Sequence, residues 1–413
     1  MENLEILKPS NTRSTLLRNA RLVLPERTAE DVSLLIQGDR ITLILDPSSS
    51  QLQPADSVID FAGLTVYPGF IDVHIHGAAG VDTMEANAAD LRRVSRFLAT
   101  QGVTGWLPTL VPAPEADYAS ALHAIALAIS EEQAGCLRSQ PVGARILGVH
   151  YEGPFVNSSQ CGALRTQFFR TFSGTGDVDA LPLVPARDQQ VVKHMITVAP
   201  EIDGGIELVR ELDRRGWIVS IGHTRADFDL LEKAFAAGAR HLTHFMNAMT
   251  PLHHRSPGPI GWGLSRDDVT CDVIADGIHL DQRILKLLHK LKGAAGLMLI
   301  SDAVAAAGLG DGDYQIWGET INVKEGRTRN ARGSIAGSVI TMLNAVQKMK
   351  SLGISEVDLA RMASTNPARL LGMDGDCGAI QEGKRADLVA LDADANVILT
   401  MLGGAIVFDG REE

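Results

Sequence analysis

The sequence predicts an α/β protein, a (β/α)8 TIM barrel with a small β-sandwich domain formed by the N- and C-terminal segments. Three observations support this fold class. Apolar strand-like runs alternate with amphipathic helical stretches through the middle of the chain, the runs number eight, and both ends consist of short strand-like segments and turns. An open doubly wound sheet is the alternative, but it favours a GxGxxG turn after its first strand, which this sequence lacks.

The predicted barrel occupies residues 67–372, between an N-terminal part (1–66) and a C-terminal part (373–413) of the β-sandwich domain. The eight strand-like runs are "YPGFIDVHIHG", "VTGWLPTL", "ARILGVHYEG", "HMITVAPE", "WIVSIGHT", "HLTHFMNAM", "TCDVIADGIHL" and "LMLISDAV". Helical periodicity is clear in "AADLRRVSRFLATQG", "DFDLLEKAFAAG" and "DQRILKLLHKLKG". Near the N-terminus, "TLLRNARLVLP" and "VSLLIQGDRITLIL" show strand character and no helix, and "GKRADLVALD" has the same texture near the C-terminus.

Composition narrows the function classes. The net charge of −12 argues against nucleic acid or an anionic membrane surface as a partner. The four cysteines are far apart and form no CxxC, which is typical of a reduced intracellular protein. The N-terminal residues do not resemble a signal peptide, and no apolar run approaches 18 residues. We therefore expect a cytoplasmic enzyme without a membrane span.

A His-x-His pair closes the first strand-like run. Residues i and i+2 of a strand project from the same face, so His74 and His76 point together while Val73 and Ile75 face the other way. Two adjacent imidazoles would repel each other if both were charged. They are well suited to act as neutral ligands of one cation.

The other ligand-type residues fall at equivalent structural positions. Glu152 ends the third predicted strand, His223 the fifth, His244 the sixth, His279 the seventh and Asp302 the eighth. The carboxyl ends of barrel strands converge on one mouth, where such enzymes place their chemistry. We therefore expect one or two divalent metal ions there, and a His/Glu donor set accepts zinc, iron or manganese.

The chemistry of these side chains indicates different uses. A buried carboxylate such as Glu152 requires a cation. Asp302 among metal ligands can accept a proton from water and later deliver it to a leaving group. His279, near the mouth, is expected to contact substrate. His150, deeper in the barrel, and His241, at the opposite end of its strand, are expected to be structural.

A basic loop follows the sixth predicted strand. The segment "NAMTPLHHRSPG", Asn247 to Gly258, contains Arg255 beside His253 and His254. A guanidinium and exposed backbone amides suit a phosphate group. Because the chain is acidic overall, an anionic substrate would depend on such a local cluster for its capture.

Taken together, these motifs resemble the N-acetylglucosamine-6-phosphate deacetylase family of the amidohydrolase superfamily. The resemblance runs from about Asn19 to the C-terminal segment and keeps the family's order and spacing. It is carried by "PGFIDVHIHG", "EGPF", "IGHT", "THFMNAM", "HHRSPGPIG", "ADGIHL", "SDA" and "STNPARLLG". The HxH motif alone is shared by many amidohydrolases, whereas "EGPF" with "THFMNAM" and "HHRSPG" is more specific.

The resemblance implies roles for individual residues. The metal ligands that it implies are Glu152, His223 and His244 for a principal site and His74 and His76 for a second one, with Glu152 in a bridging position. Asp302 would be the catalytic acid and base. The substrate-binding residues that it implies are Asn247, Ala248, Arg255, His279 and Ala163. In family members the arginine of this loop can come from a neighbouring subunit, which implies a homodimer.

Two positions depart from the family pattern. Leu164, in "CGALRT", stands where some members place a histidine that helps to polarise the acetyl carbonyl. That task would fall to a metal here, which favours a two-metal site. Ser256 stands where many relatives have an acid.

The resemblance implies metal-dependent hydrolysis of the acetamide of N-acetylglucosamine 6-phosphate. The galactosamine epimer and an N-acyl-amino-acid deacetylase remain alternatives. Dihydroorotases and hydantoinases usually use a carboxylated lysine after the fourth strand, and this chain has "APE" there. A non-catalytic protein on the same scaffold would tend to lose ligands, and the ligand pattern in this sequence is complete.

Overall fold

The computed structural model describes residues 13–46, 54–136, 143–184 and 192–411. In chain order the strands are β1 (Ser14–Val23), β2 (Thr28–Gln37), β3 (Arg40–Leu45), β4 (Ser57–Asp60), β5 (Thr65–Pro68), β6 (Phe70–Ile75), β7 (Gly77–Ala78), β8 (Val81–Asp82), β9 (Val103–Leu110), β10 (Arg145–Ile146), β11 (Gly148–Glu152), β12 (Lys193–Val198), β13 (Ile218–Ile221), β14 (His241–Leu242), β15 (Thr270–Ile274), β16 (Leu297–Ile300), β17 (Gly312–Ile316), β18 (Glu319–Lys324), β19 (Arg327–Arg329), β20 (Leu388–Leu391), β21 (Val397–Leu402) and β22 (Ala405–Asp409). The α-helices are α1 (Ala88–Thr100), α2 (Glu115–Cys136), α3 (Thr175–Asp179), α4 (Gly205–Arg214), α5 (Phe228–Ala237), α6 (Gly258–Ser265), α7 (Gln282–Lys292), α8 (Met342–Ser351), α9 (Glu356–Ala360) and α10 (Asn366–Leu370).

Eight strands form the barrel, and they correspond to the eight strand-like runs of the sequence. They are β6, β9, β11, β12, β13, β14, β15 and β16, paired in that order and all parallel. Backbone hydrogen bonds hold the seam between β16 and β6. The amide of Asp302 donates to the carbonyl of His74 over 2.9 Å, and that of His76 donates to the carbonyl of Ala303 over 2.8 Å. The predicted fold class is confirmed.

The barrel strands are largely apolar because both of their faces are covered. Every residue of β6 and β9 is buried. Parallel strands enclosed by helices form continuous hydrophobic runs instead of alternating with polar residues. Polar side chains inside such strands, such as Asp72 and Asp272, are costly to bury unless hydrogen bonds satisfy them.

The helices between these strands pack their apolar faces against the barrel. In α1, Asn87 caps the N-terminus by accepting the amides of Ala89 and Asp90, and the helix buries Leu91 and Leu98. The three helices predicted from periodicity correspond to α1, α5 and α7. None of the helices described is both long enough and apolar enough to cross a membrane.

A second sheet joins the two ends of the chain. Strands β1–β5 and β20–β22 form one eight-stranded sheet, and the antiparallel pair of β5 and β20 links the N-terminal part to the C-terminal part. The expectation that both termini build one β-structure is confirmed. The division of the chain at residues 66/67 and 372/373 stays a prediction.

A three-stranded antiparallel sheet, β17–β19, lies between β16 and α8. No pattern in the sequence predicted this sheet. The first two strands are joined by a two-residue turn, Trp317–Gly318, because Ile316 pairs directly with Glu319. This insertion follows Asp302 in the chain and reaches the mouth of the barrel.

Candidate active site

The carboxyl ends of four barrel strands bring five buried side chains to one point. The Oε1 atom of Glu152 lies 2.9 Å from the Nε2 of His223 and 3.0 Å from the Nε2 of His244. Its Oε2 atom lies 3.3 Å from the Nε2 of His76, and Oε1 lies 3.8 Å from the Nε2 of His74. A carboxylate surrounded by four imidazole nitrogens is a donor set typical of transition-metal sites.

These side chains form two triads that share one carboxylate. Glu152 with His223 and His244 is the first triad, and Glu152 with His74 and His76 is the second. In each triad the ligand atoms lie within 4.8 Å of one another. Glu152 therefore stands where it could bridge two ions.

The tautomer of His223 tests whether this donor set fits a metal. Its Nδ1 lies 2.6 Å from the carbonyl oxygen of Gln160, and because a carbonyl can only accept, Nδ1 carries the hydrogen. In the neutral imidazole, Nε2 then presents a lone pair toward Glu152 at 2.9 Å. Two facing acceptors can share a cation, so the residues present fit a divalent metal.

The electrostatics of the cluster point the same way. Burial lowers the pKa of His76 and His244, but the carboxylates of Glu152 and Asp302 outweigh it and raise these pKa values to about 10 and about 9. Burial raises the pKa of Glu152, yet contacts with His223, His244 and His76 hold it well below its usual range. The carboxylates thus demand positive charge at this point, which a divalent cation supplies.

Asp302 lies against the second triad. Its Oδ1 atom is 3.3 Å from the Nε2 of His74 and 3.2 Å from the Nε2 of His76. The side chain is largely buried, and it lines the same cavity as Glu152. A carboxylate in this place could accept a hydrogen bond from a water or substrate atom bound between the triads.

The backbone is distorted where these side chains leave their strands. His223, His244 and Asp302 have φ values of 47°, 31° and 49°. Ala248, in the loop after β14, has a φ of 49°. Left-handed conformations are unfavourable for residues with a Cβ, and they cluster at functional sites, where they redirect side chains.

Two buried aspartates hold the strands beneath the triads from inside the barrel, and neither was predicted from the sequence. Asp272 accepts the backbone amide of His244, and its other oxygen lies 2.9 Å from the Nε2 of His241. Asp72 accepts the hydroxyl of Ser301 across the β6–β16 seam. The available signal was a single aspartate inside each apolar run, "FIDVHI" and "TCDVI".

The two histidines predicted to be structural belong to neither triad. The Nε2 of His150 lies 2.8 Å from the hydroxyl of Thr197, and its ring packs edge-on against His74. Burial lowers the pKa of His150 to about 3, so this imidazole is neutral. His241 pairs with Asp272 beneath the ligands.

A cavity of 450 Å³ opens onto the two triads. Its lining comprises His76, Glu152, Ser159, Gln160, Cys161, Gly162, Ala163, Leu164, His223, His244, Asn247, Ala248, Ile274, His279, Asp302, Trp317, Ser334, Ile335 and Gly337. The loop after β11 and the β17–β19 insertion contribute residues that the sequence analysis missed. No local pattern marks them, because they approach the site through long-range packing.

Most of the predicted substrate-binding residues line this cavity. Ala163, Asn247, Ala248 and His279 do so, and His279 is held by Asp276, whose carboxylate lies 2.6 Å from its Nδ1. Arg255 does not line the cavity. Its side chain is exposed and lies 2.6 Å from the Nε2 of the neighbouring His254.

Residues 65–407 match the family model "Amidohydrolase family". The chain belongs to the amidohydrolase family. It is 37% identical over 369 residues to N-acetylglucosamine-6-phosphate deacetylase from Bacillus subtilis, a match that covers 89% of each chain. It is 35% identical to N-acetylgalactosamine-6-phosphate deacetylase from Escherichia coli O157:H7, over 92% of this chain and 96% of that one.

The structure resembles that of a variant of N-acetyl-D-glucosamine-6-phosphate deacetylase from Mycobacterium smegmatis in complex with N-acetyl-D-glucosamine-6-phosphate. The TM-score is 0.82 at 30% identity, and the match covers 96% of this chain and 100% of that one. Within the amidohydrolases, the chain therefore falls in the N-acetylglucosamine-6-phosphate deacetylase family, as the motifs predicted.

Proposed function

We propose that this chain hydrolyses the acetamide of N-acetylglucosamine 6-phosphate to glucosamine 6-phosphate and acetate. The observation that carries the proposal is the pair of His/Glu triads around Glu152, with Asp302 beside them, at the mouth of the barrel. The identity to deacetylases of phosphorylated N-acetyl amino sugars supplies the substrate class.

In this proposal, Glu152, His223 and His244 would hold a principal divalent metal, and His74 and His76 would hold a second one with Glu152 shared. A bound divalent metal would supply Lewis-acid chemistry, lowering the pKa of a water molecule and polarising the acetyl carbonyl. Leu164 cannot donate a hydrogen bond to the acetyl carbonyl, so a second ion would be needed to polarise that carbonyl. The donor set is compatible with zinc, iron or manganese.

Asp302 moves the proton. Its carboxylate takes a proton from the attacking water as the new C–O bond forms at the acetyl carbon. It then delivers that proton to the departing nitrogen, so that the C–N bond breaks with a neutral amine as the leaving group. The position of Asp302 next to the ligand imidazoles suits both steps.

The sugar phosphate is assigned to the side of the cavity formed by Asn247, Ala248 and His279, and Ala163 of the same lining is assigned to the sugar. Arg255 is proposed to bind the phosphate from the loop after β14. Because Arg255 is exposed on its own chain, the proposal includes a homodimer in which this loop approaches the neighbouring cavity. A cytoplasmic location is also proposed, and the free thiols of Cys161, Cys271 and Cys377 are consistent with it.

The first test measures kcat/KM for N-acetylglucosamine 6-phosphate, its galactosamine epimer, unphosphorylated N-acetylglucosamine and an N-acetyl amino acid, with metal analysis of the same sample. The glucosamine phosphate should be the best substrate. Equal rates on the phosphorylated and neutral sugars would remove the sugar-phosphate assignment, and a preference for the acetyl amino acid would replace it.

The phosphate assignment is tested with Arg255→Ala. A guanidinium–phosphate contact contributes enough that its loss should lower kcat/KM for the phosphorylated sugar roughly 10–100-fold. The neutral sugar should be affected much less. Arg283→Ala removes an exposed guanidinium on α7 and is the matched control. Equal losses on both sugars would make Arg255 structural.

A further inference from the structure

Trp317, which lines the cavity, has a backbone conformation that is unusual for its residue type. Trp317 and Gly318 form the two-residue turn between β17 and β18, and both have positive φ, 55° and 77°. Turns of this kind favour Asn, Asp or Gly, because a residue with a large side chain is strained there. A tryptophan at this point indicates that its side chain serves a purpose outside the turn.

The indole of Trp317 is held inside the active site. It is 9% exposed, although it belongs to the tip of a hairpin. Its ring stands edge-on to that of His76, with centroids 5.1 Å apart and an interplanar angle of 82°. It lines the same cavity as Glu152 and Asp302. The hairpin therefore places an aromatic wall next to His76.

Barrel topology indicates which part of the substrate meets this wall. Asn247 and Ala248 follow β14, while His76 follows β6, three strands away around the barrel. If the amide of the substrate lies at Glu152 and its sugar points toward Asn247, the acyl group points away from that loop, toward β6. This reasoning rests on the proposed function.

We propose that Trp317 is a specificity-determining residue that limits the N-acyl group of the substrate to about the size of acetyl. The indole forms the end wall of an apolar acyl subsite in the cavity, whose lining also includes Leu164 and Ile335. A methyl group fits against this wall, and each further methylene collides with it. The class of substrate is thus a short-chain N-acyl amino sugar phosphate.

The test compares kcat/KM for N-acetyl-, N-propionyl- and N-butyrylglucosamine 6-phosphate in the wild type and in Trp317→Asn. Asparagine suits the positive-φ turn, so this variant keeps the hairpin while it removes the wall. One methylene in an apolar pocket is worth roughly 10–200-fold in kcat/KM. The wild type should lose that factor with each methylene, and the variant should reduce the acetyl-to-butyryl ratio by at least tenfold.

Three further measurements separate a specificity role from a structural one. Trp317→Phe should keep most of the acetyl preference, and Thr320→Ala, on the exposed face of the same hairpin, should leave the ratio unchanged. Metal content and melting temperature are measured on every variant. If Trp317 merely supports His76, Trp317→Asn will lose metal and slow all three substrates by the same factor, which overturns the proposal.

Failure of the proposed function and failure of the acyl subsite alone give different results. If the wild type hydrolyses none of the three sugar phosphates, the proposed function fails and the acyl subsite fails with it. If the wild type hydrolyses the acetyl sugar but folded Trp317→Asn keeps the wild-type ratios, the proposed function stands and the acyl subsite alone is wrong. Should Trp317→Asn fail to fold, Trp317→Leu replaces it under the same criteria, because leucine keeps the site apolar while shortening the wall.

Discussion

The two triads around Glu152 differ in how the fold presents their imidazoles. His223 and His244 come from separate strands, leave them at positive φ, and one of them is locked by a hydrogen bond from its Nδ1 to a carbonyl. His74 and His76 come from one strand, two residues apart, and within the described part of the chain their Nδ1 atoms have no hydrogen-bond partner.

This difference indicates unequal metal affinity. Ligand histidines are usually fixed through their second ring nitrogen, and such outer contacts strengthen metal binding. The first triad has one imidazole fixed in this way and the second has none. The backbone amide of His244 is also tied to Asp272, which in turn pairs with His241. We expect the first triad to hold the tighter metal.

Asp302 contacts the second triad but should be needed whichever triad holds metal, so its removal should have the largest effect. Asp302→Asn should lower kcat by roughly 10²–10⁴-fold, because the amide can neither take nor deliver the proton. Metal content should stay largely intact, as measured by elemental analysis. Asp281→Asn, at the exposed N-cap of α7, is the matched control. Near-normal turnover by Asp302→Asn would refute its assigned role.

The ligand variants separate the two triads directly. His223→Ala and His244→Ala should each empty the first site, since they remove a ligand from the tighter metal. His74→Ala should reduce the metal count in the second site while the first stays occupied. Metal per subunit is measured after loading with excess zinc, iron or manganese. Full occupancy in His223→Ala or His244→Ala would contradict the ligand assignment, and one metal per wild-type subunit would indicate a mononuclear enzyme.

Removal of Asp272 should have the smallest of these effects. Outer-shell partners of metal ligands typically contribute 10–100-fold in metal affinity. Asp272→Asn should therefore weaken the first site by about that factor in a competitive chelator titration and leave the second site unchanged. The melting temperature is followed in parallel, because Asp272 also pairs with buried His241. Equal weakening of both sites would show a general loss of barrel structure.

The contrast also separates what the sequence could predict from what it could not. The pairing of His74 and His76 could be predicted because the alternation of side chains along a strand is a local rule. Glu152, His223, His244 and Asp302 were readable because each ends an apolar run, and parallel barrel strands end at one mouth. Periodicity likewise predicted the eight barrel strands and the helices α1, α5 and α7.

Features that depend on long-range packing were not predictable in this way. Trp317 lies in a hairpin that no periodic pattern in the sequence predicted. Its contact with His76 depends on how the β17–β19 sheet packs against the barrel. Gln160 contributes through its backbone carbonyl, which carries no sequence signature. The exposed position of Arg255 likewise follows from the path of its loop and not from its residue type.

The positive-φ backbone at His223, His244 and Asp302 has a consequence for heat resistance. Each such conformation costs on the order of 1–3 kcal/mol for a residue with a side chain. A glycine at one of these places would relieve that cost, so a His244→Gly protein, compared with its His244→Ala counterpart, should melt at a higher temperature. Substitutions that raise the thermal tolerance of this enzyme are therefore available in its candidate active site. Selection for activity opposes such substitutions there.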